Sequence, residues 1–382
     1  MNIAADNIND LVKFALDNQI ELTVVGPEGP LTAGIVDAFT AAGLNVFGPD
    51  KAAAHLEGSK AFAKAIMEKY NIPTATSRTF TSAEEALAYL EETGAPVVIK
   101  ADGLAAGKGV VVASTLAEAK EAVHRIMVDK EFGDAGSQLV VEEFLEGEEV
   151  SVLAFTDGNT VIPMISSQDH KAAYDGDTGP NTGGMGAYSP APVLTWELLA
   201  EVEEKILRPT VAGLRSEGIV YKGVLYAGLM ITADGPKVLE YNVRFGDPEC
   251  QAVLPQLKSD LVSVMFAVIN RCLHDVDIQW HDNHAACVVM ASGGYPGSYE
   301  KGKVISGLEE AAGIEDVVVF HAGTAQQGDE TVTAGGRVLG VTAWGDTLSA
   351  ALDKAYGAVA KISFEGAHFR KDIGQKALKR NN

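Results

Sequence analysis

The sequence is poor in cysteine and in basic residues, and it has no long apolar run. Three cysteines, Cys250, Cys272 and Cys287, among 382 residues make no disulfide framework, and their spacing fits no metal-ligand pattern. They read as reduced thiols in a cytoplasmic protein. No apolar stretch approaches the ~20 residues that span a bilayer. The opening MNIAADNINDLVKF has no apolar core behind a basic flank, which argues against a secretory signal. Lys and Arg number 30 against 52 Asp and Glu, a formal net charge of −22. That balance excludes a broad nucleic-acid or anionic-membrane surface, which needs clustered cations. It leaves room for phosphate-bearing small molecules, for which a few local cations and backbone N–H groups suffice.

What the chain has in quantity is glycine. Forty glycines gather notably at 103–109, 176–186 and 293–297, where a residue without Cβ lets the backbone approach a ligand closely. The length suggests about two to four domains. A β-rich run at 20–25, a helical stretch at 31–42 and a short strand at 45–47 alternate as in a doubly wound parallel sheet. Helices are expected from 59 to about 70 and over 82–92, the second capped near Ser82 with Glu84 and Glu85 in its first turn. Strands at 96–100, 109–113 and 139–144 and a helix at 116–128 make a compact unit. Strands 149–156 and 160–164 meet at Asp157-Gly158-Asn159, and 223–232 and 236–242 at Asp234-Gly235, both hairpin signals. Helices are also expected over 195–216 and 259–273. The stretch 166–192 reads as one long functional loop. Strands at 284–291, 317–322 and 337–343 with a helix at 347–361 suggest a separate α+β domain.

Four constellations carry chemistry. In Val97-Val98-Ile99-Lys100-Ala101-Asp102-Gly103-Leu104-Ala105-Ala106-Gly107-Lys108-Gly109-Val110, a strand delivers Lys100 and a glycine-rich turn offers backbone N–H groups to an anion, with Lys108 as a second cation. A strand follows the glycines, so this is a flap between strands and not a Walker A loop; the plainer alternative is a tight hairpin with incidental lysines. The run Glu142-Glu143-Phe144-Leu145-Glu146-Gly147-Glu148-Glu149 is either a solvated acidic turn or, given its place after the flap, the wall of an adenine pocket. In Glu240-Tyr241-Asn242-Val243-Arg244, alternation puts Glu240, Asn242 and Arg244 on one face. Two hard oxygen ligands there suit Mg²⁺, and Arg244 could neutralise a phosphoryl group; a Glu240–Arg244 ion pair is the alternative. The fourth comprises Asp169-His170-Lys171 and Asp175 to Tyr188, rich in Gly, Asp, Asn and Thr. His170 in it is more often a structural hydrogen-bonding residue than a base.

Taken in order, these pieces resemble the ATP-grasp ligases. Gly26-Pro27-Glu28, Leu56-Glu57-Gly58-Ser59-Lys60, the 97–109 flap, Asp169-His170-Lys171, 177–190 and 240–249, then 291–297, Phe320-His321-Ala322-Gly323-Thr324 and Arg370-Lys371-Asp372-Ile373-Gly374, are similar to the glycinamide ribonucleotide synthetase (phosphoribosylamine–glycine ligase) family. The resemblance implies an α/β and α+β multidomain chain: a truncated doubly wound domain at 1–58, an ATP-grasp domain at 59–275 with a mobile lid at about 75–145, and a small α+β domain at 276–382. It implies the purine-biosynthetic reaction of ATP, glycine and phosphoribosylamine through a glycyl phosphate, with Mg²⁺ or Mn²⁺. A truncated ATP-binding remnant and another ATP-grasp carboxylate–amine ligase are the other readings.

The same resemblance implies the roles of single residues. Lys60, Lys100 and Lys108 contact ATP phosphates; Glu142, Phe144, Leu145 and Glu149 line the adenosine site; Glu240 and Asn242 hold the metal. Arg244 stabilises the transferred phosphoryl group and Lys171 assists catalysis. Glu28, Asp177, Asn181, Gly184 and Met185 serve glycine or the aminosugar. Partners are these small molecules, without nucleic acid or membrane, on a monomer or weak dimer. The family opens with a strand and a Gly-Asn-Gly-Gly-Arg-Glu-His loop for the sugar phosphate. Neither stands ahead of residue 20, so a β–α–β unit of roughly 30 or more residues is expected to be missing, leaving the ATP half of the site complete and the sugar-phosphate half not.

Overall fold

The structure, a computed structural model, describes residues 3–105 and 109–380. Their contacts fall into two compact units, each drawn from three separate stretches of chain. The first comprises 1–164, 195–245 and 261–277; the second comprises 165–194, 246–260 and 278–382. This division differs from the contiguous one read from the sequence, because 165–194 packs with the C-terminal residues.

The first unit holds two four-stranded antiparallel sheets. One runs Ser77–Phe80, Leu139–Glu143, Val97–Ala101, Val110–Ala113 across the sheet, with its helices Ala83–Thr93 and Leu116–Val123 on one face. Ile99, Leu139, Val141, Leu90 and Ile126 form their shared core at 2% exposure or less. Burying each such side chain contributes about 1.5–3 kcal/mol, so the sheet faces carry this subdomain. The expected Ser82 cap is present, accepting from the Glu85 amide, and Thr115 and Glu118 form a capping box. The second sheet runs Gly235–Asn242, Gly223–Thr232, Glu148–Thr156, Val161–Pro163. Its Asp157 is fully buried and accepts from the amides of Asn159, Thr160 and Leu273. The 195–216 helix is present with a π turn at Glu203–Leu207.

One irregularity in the second sheet matters for the site. Gly228 faces Glu240 and Leu229 faces Val238, so Leu239 is an extra residue, a β-bulge that re-aims the end of its strand. Near the N-terminus, the parallel pairing is limited to Thr23–Val24 against Val46–Phe47. Helices at Ile8–Asp17 and Lys51–Gly58 join those read from the sequence. Asp50 caps the second by accepting from the Ala53 amide.

The second unit is built on a five-stranded antiparallel sheet ordered Val317–His321, Arg337–Gly345, His284–Ala291, Gly186–Ser189, Gln168–Asp169. The helix Leu348–Val359 covers one face, with Leu348, Ala351, Leu352 and Ala355 buried. The single long loop expected over 166–192 is therefore corrected. It contains four short strands, two of which extend this sheet and two of which form the hairpin Ala172–Tyr174 with Thr178–Asn181. Strands of two to four residues leave little periodicity to read. No described helix is long and apolar enough to cross a membrane.

Candidate functional site

In the first unit the two sheets face each other through charged side chains. Strand Val97–Ala101 delivers Lys100, 6% exposed, whose Nζ donates to Leu239 O at 2.8 Å and pairs with Glu142 Oε2 at 2.9 Å. The acceptor Leu239 is the bulge residue. Lys64, from the helix Lys60–Lys69, meets the other Glu142 oxygen at 3.3 Å and donates to Thr74 Oγ1 and Ala75 O. Glu142, expected on an adenosine wall, is thus 3% exposed and held by two lysines. Burial pulls the Lys64 ammonium down to about 8, against the raising effect of Glu142. Two buried ammonium groups on one carboxylate make a locally cationic wall, which favours a phosphate.

Lys60 stands at the start of that helix. Its Nζ donates to Gly103 O at 3.2 Å. Burial lowers its pKa, Glu240 opposes that effect, and Lys100 adds to it. Asp102 ties the flap strand to the helix, accepting from the Ala61 amide at 2.7 Å and from Ser59 Oγ at 2.9 Å. Lys108 lies outside the described residues. Phe144 is exposed, Leu145 buried, and Glu149 exposed opposite Met230.

Beyond the bulge, Arg244 gathers a second cluster. Its Nε donates to Glu28 Oε2 at 3.1 Å, its Nη2 to Glu57 Oε1 at 3.0 Å and to Asn242 Oδ1 at 3.4 Å, and its Nη1 to Phe245 O at 3.2 Å. Glu57 also accepts from the Val243 amide at 2.7 Å. Burial pushes the Glu57 carboxyl up to about 7, with Arg244 pulling the other way. Glu240 and Asn242, two apart at the end of Gly235–Asn242, offer a carboxylate and an amide oxygen. Such a hard, incomplete donor set fits a divalent cation, whose remaining positions phosphate oxygens and water would fill.

In the second unit, Asp177 does not present an open carboxylate. One oxygen meets Arg370 Nη1 at 2.9 Å and the other Lys376 Nζ at 2.5 Å. Met185 is fully buried, its amide bonded to His170 O. Gly184 has φ +112°, and a Cβ there would meet Pro248 at 2.4 Å, so only glycine fits. Lys171 O accepts from the Thr182 amide and hydroxyl, and Asn181 is exposed. Arg337 donates to Gly183 O and Asp247 O, each at 2.7 Å, and pairs with Asp247 Oδ2 at 2.8 Å.

Sequence reasoning assigned no role to Lys64, Glu57, Asp102 or Arg337. Glu57 and Lys64 lie in or beside the quoted Leu56–Lys60 motif. Their partners, however, are 186 and 78 residues away, beyond any local spacing rule.

Three family models cover the chain in order. They are the phosphoribosylglycinamide synthetase N domain at residues 1–57, its ATP-grasp (A) domain at 58–250 and its C domain at 285–376. A phosphoribosylamine–glycine ligase of Rhodopirellula baltica is 56% identical over 375 residues, 96% of this chain and 86% of that one. That of Vibrio cholerae is 55% identical over 383 residues, 100% and 89% of the two chains. The crystal structure of the Thermotoga maritima phosphoribosylamine–glycine ligase matches with a TM-score of 0.78 at 37% identity, covering 86% of this chain and 82% of that one. The biotin carboxylase domain of Hydrogenobacter thermophilus 2-oxoglutarate carboxylase shares the fold, with a TM-score of 0.72 at 19% identity over 95% and 79% of the chains. The chain belongs to the phosphoribosylglycinamide synthetase family.

Proposed function

We infer that this chain is an ATP-dependent carbon–nitrogen ligase that joins glycine to 5-phosphoribosylamine, giving glycinamide ribonucleotide, ADP and phosphate in purine biosynthesis. The observation that carries the reading is the pair of clusters in one unit, the buried Lys64 and Lys100 on Glu142 and an arginine beside two hard oxygen donors. A carboxylate is inert to amines at neutral pH. In the first step a glycine carboxylate oxygen bonds to the γ-phosphorus of ATP, the bond to the β-phosphate oxygen breaks, and ADP leaves. In the second, the amine nitrogen bonds to the acyl carbon of glycyl phosphate, phosphate leaves, and the nitrogen loses a proton.

Each residue has a task in this scheme. Lys60 and Lys100 hold ATP phosphates and place the γ-phosphorus in line. Glu142 keeps Lys100 extended, while Phe144, Leu145 and Glu149 line the adenosine site. Arg244 balances charge on the transferred phosphoryl group. Glu240 and Asn242 would hold Mg²⁺ or Mn²⁺, which would neutralise phosphate charge. Glu28 serves glycine or the aminosugar, as do Asn181, Gly184, Met185, Asp177 and Lys171, Asp177 acting through its ion pairs. Acyl phosphates hydrolyse readily, so the flap after Lys100 serves to keep water out. The protein works in the cytoplasm as a monomer or weak dimer.

The test is ADP release with each substrate omitted in turn. Sustained release is expected only with glycine and phosphoribosylamine both present, glycine alone giving at most the slow release that follows glycyl phosphate hydrolysis; ATP hydrolysis indifferent to both would sink the reading. Glu240→Ala is expected to abolish turnover at any Mg²⁺ or Mn²⁺ concentration. Wild-type turnover in that variant removes Glu240 as a metal ligand.

A further inference from the structure

Glu57 occupies a position that stability alone does not favour. It lies in the last turn of Lys51–Gly58, the helix end where a negative charge opposes the dipole. Its side chain is only 8% exposed, and Glu28 and Glu240 add like charge nearby. Burial and these neighbours all disfavour its ionised form, and Arg244 and the Val243 amide oppose them. Replacing a buried ion pair by apolar groups is often neutral or stabilising, so such a pair is weak evidence of a stability role.

Its geometry is that of a brace. One oxygen accepts from the Val243 amide at 2.7 Å and the other from Arg244 Nη2 at 3.0 Å. The carboxylate therefore spans two consecutive residues just past the strand that carries Glu240 and Asn242. Glu28, four times as exposed at 32%, holds the Nε edge of the same guanidinium through a single bond. The backbone of Val243, just before the arginine, and the arginine's side chain are thus both tied to one helix end.

We propose that Glu57 is a positioning residue for the ligase reaction, fixing the plane of the Arg244 guanidinium against the backbone through a carboxylate bridge. This rests on the reading that Arg244 stabilises the transferred phosphoryl group. Misplacement of a catalytic group by about 1 Å costs about a hundredfold in rate. A brace that acts only through Arg244 affects kcat and leaves ATP binding alone.

The experiment measures kcat and KM for ATP in full-length Glu57→Gln, Glu57→Asp, Arg244→Ala and the Glu57→Gln/Arg244→Ala double variant, with melting temperatures. Glu57→Gln keeps the shape but can accept through only one oxygen. Its kcat is expected to fall about a hundredfold, with KM for ATP within about twofold and a melting temperature at or below wild type, since Arg244 keeps only Glu28 as a carboxylate partner. Glu57→Asp is expected to recover part of kcat, and the double variant to be no slower than Arg244→Ala, as for residues acting as one unit. Wild-type kcat in Glu57→Gln beside an inactive Arg244→Ala overturns the brace and leaves the function intact. Additive losses in the double variant overturn it equally. Full activity in Arg244→Ala overturns both the brace and the role of Arg244.

Discussion

At the scale of single residues, position in the fold decides what a side chain can do more than its type does. His170, read from the sequence as more often structural than a base, is 3% exposed, and its pKa falls to about 4, first through burial and then through Arg370. Lys376 adds to the lowering, while Asp177 and Asp372 oppose it. The Gly374 amide donates to Nε2 at 3.4 Å, which leaves the ring proton on Nδ1, where no partner meets it among the described residues. The unfolded chain takes up a proton on this ring below its ordinary value of 6.5, and the folded chain does so only near 4. Stability from this residue is therefore complete above pH 6.5 and lost as pH falls towards 4, by about 3 kcal/mol in all. Urea unfolding of His170→Gln is expected to show a shallower loss between pH 7 and 4.5 than wild type; parallel curves would exclude the residue as the source. The strand positions of Lys100 and Glu240 were legible in the sequence because strand periodicity is local, whereas Arg244 lies past the end of its strand. The role of Glu57 was not legible, although it lies in a quoted motif, because its partners Val243 and Arg244 are 186 and 187 residues away.

At the scale of elements, the caps and hairpins were the most legible features, since Ser82, Asp157-Gly158-Asn159 and Asp234-Gly235 act on their immediate neighbours. The bulge at Leu239 was not. It appears only when Gly235–Asn242 is paired with Gly223–Thr232, and it supplies the carbonyl that Lys100 grips. The joint between the flap strand and the helix Lys60–Lys69 depends similarly on residues far apart in sequence. Asp102 accepts from Ala61 and Ser59, and its carbonyl accepts from the Lys60 amide. Asp102→Ala removes the side-chain half of that joint, at a cost of about 1–2 kcal/mol. It also frees the residue next to Gly103, whose carbonyl holds Lys60 Nζ. A raised KM for ATP with a lowered melting temperature is expected. An unchanged KM with the same loss of stability would make Asp102 a cap and nothing more.

At the scale of the whole molecule, chain order misleads about folding units. The resemblance and the α/β alternation gave the fold class, but the short strands Gln168–Asp169 and Gly186–Ser189 belong to a sheet whose other strands begin about a hundred residues later. Strand His284–Ala291 pairs with Arg337–Gly345 on one side and with Gly186–Ser189 on the other, in the register Gly186 to Val288 through Ser189 to Ala285. Seven of its eight residues are buried, and Ala187 and Tyr188 opposite are fully so. A chain cut to residues 276–382 would therefore expose an apolar strand with an unpaired edge, which templates association with other chains. It would also lack the helix Glu249–Val253, whose Ala252 and Val253 are buried within the same unit. That fragment is expected to be aggregated or to lack near-ultraviolet circular dichroism, while the full chain stays in solution. A soluble fragment with native near-ultraviolet dichroism would mean that the C-terminal residues form a self-sufficient core, and that the 165–194 strands only decorate it.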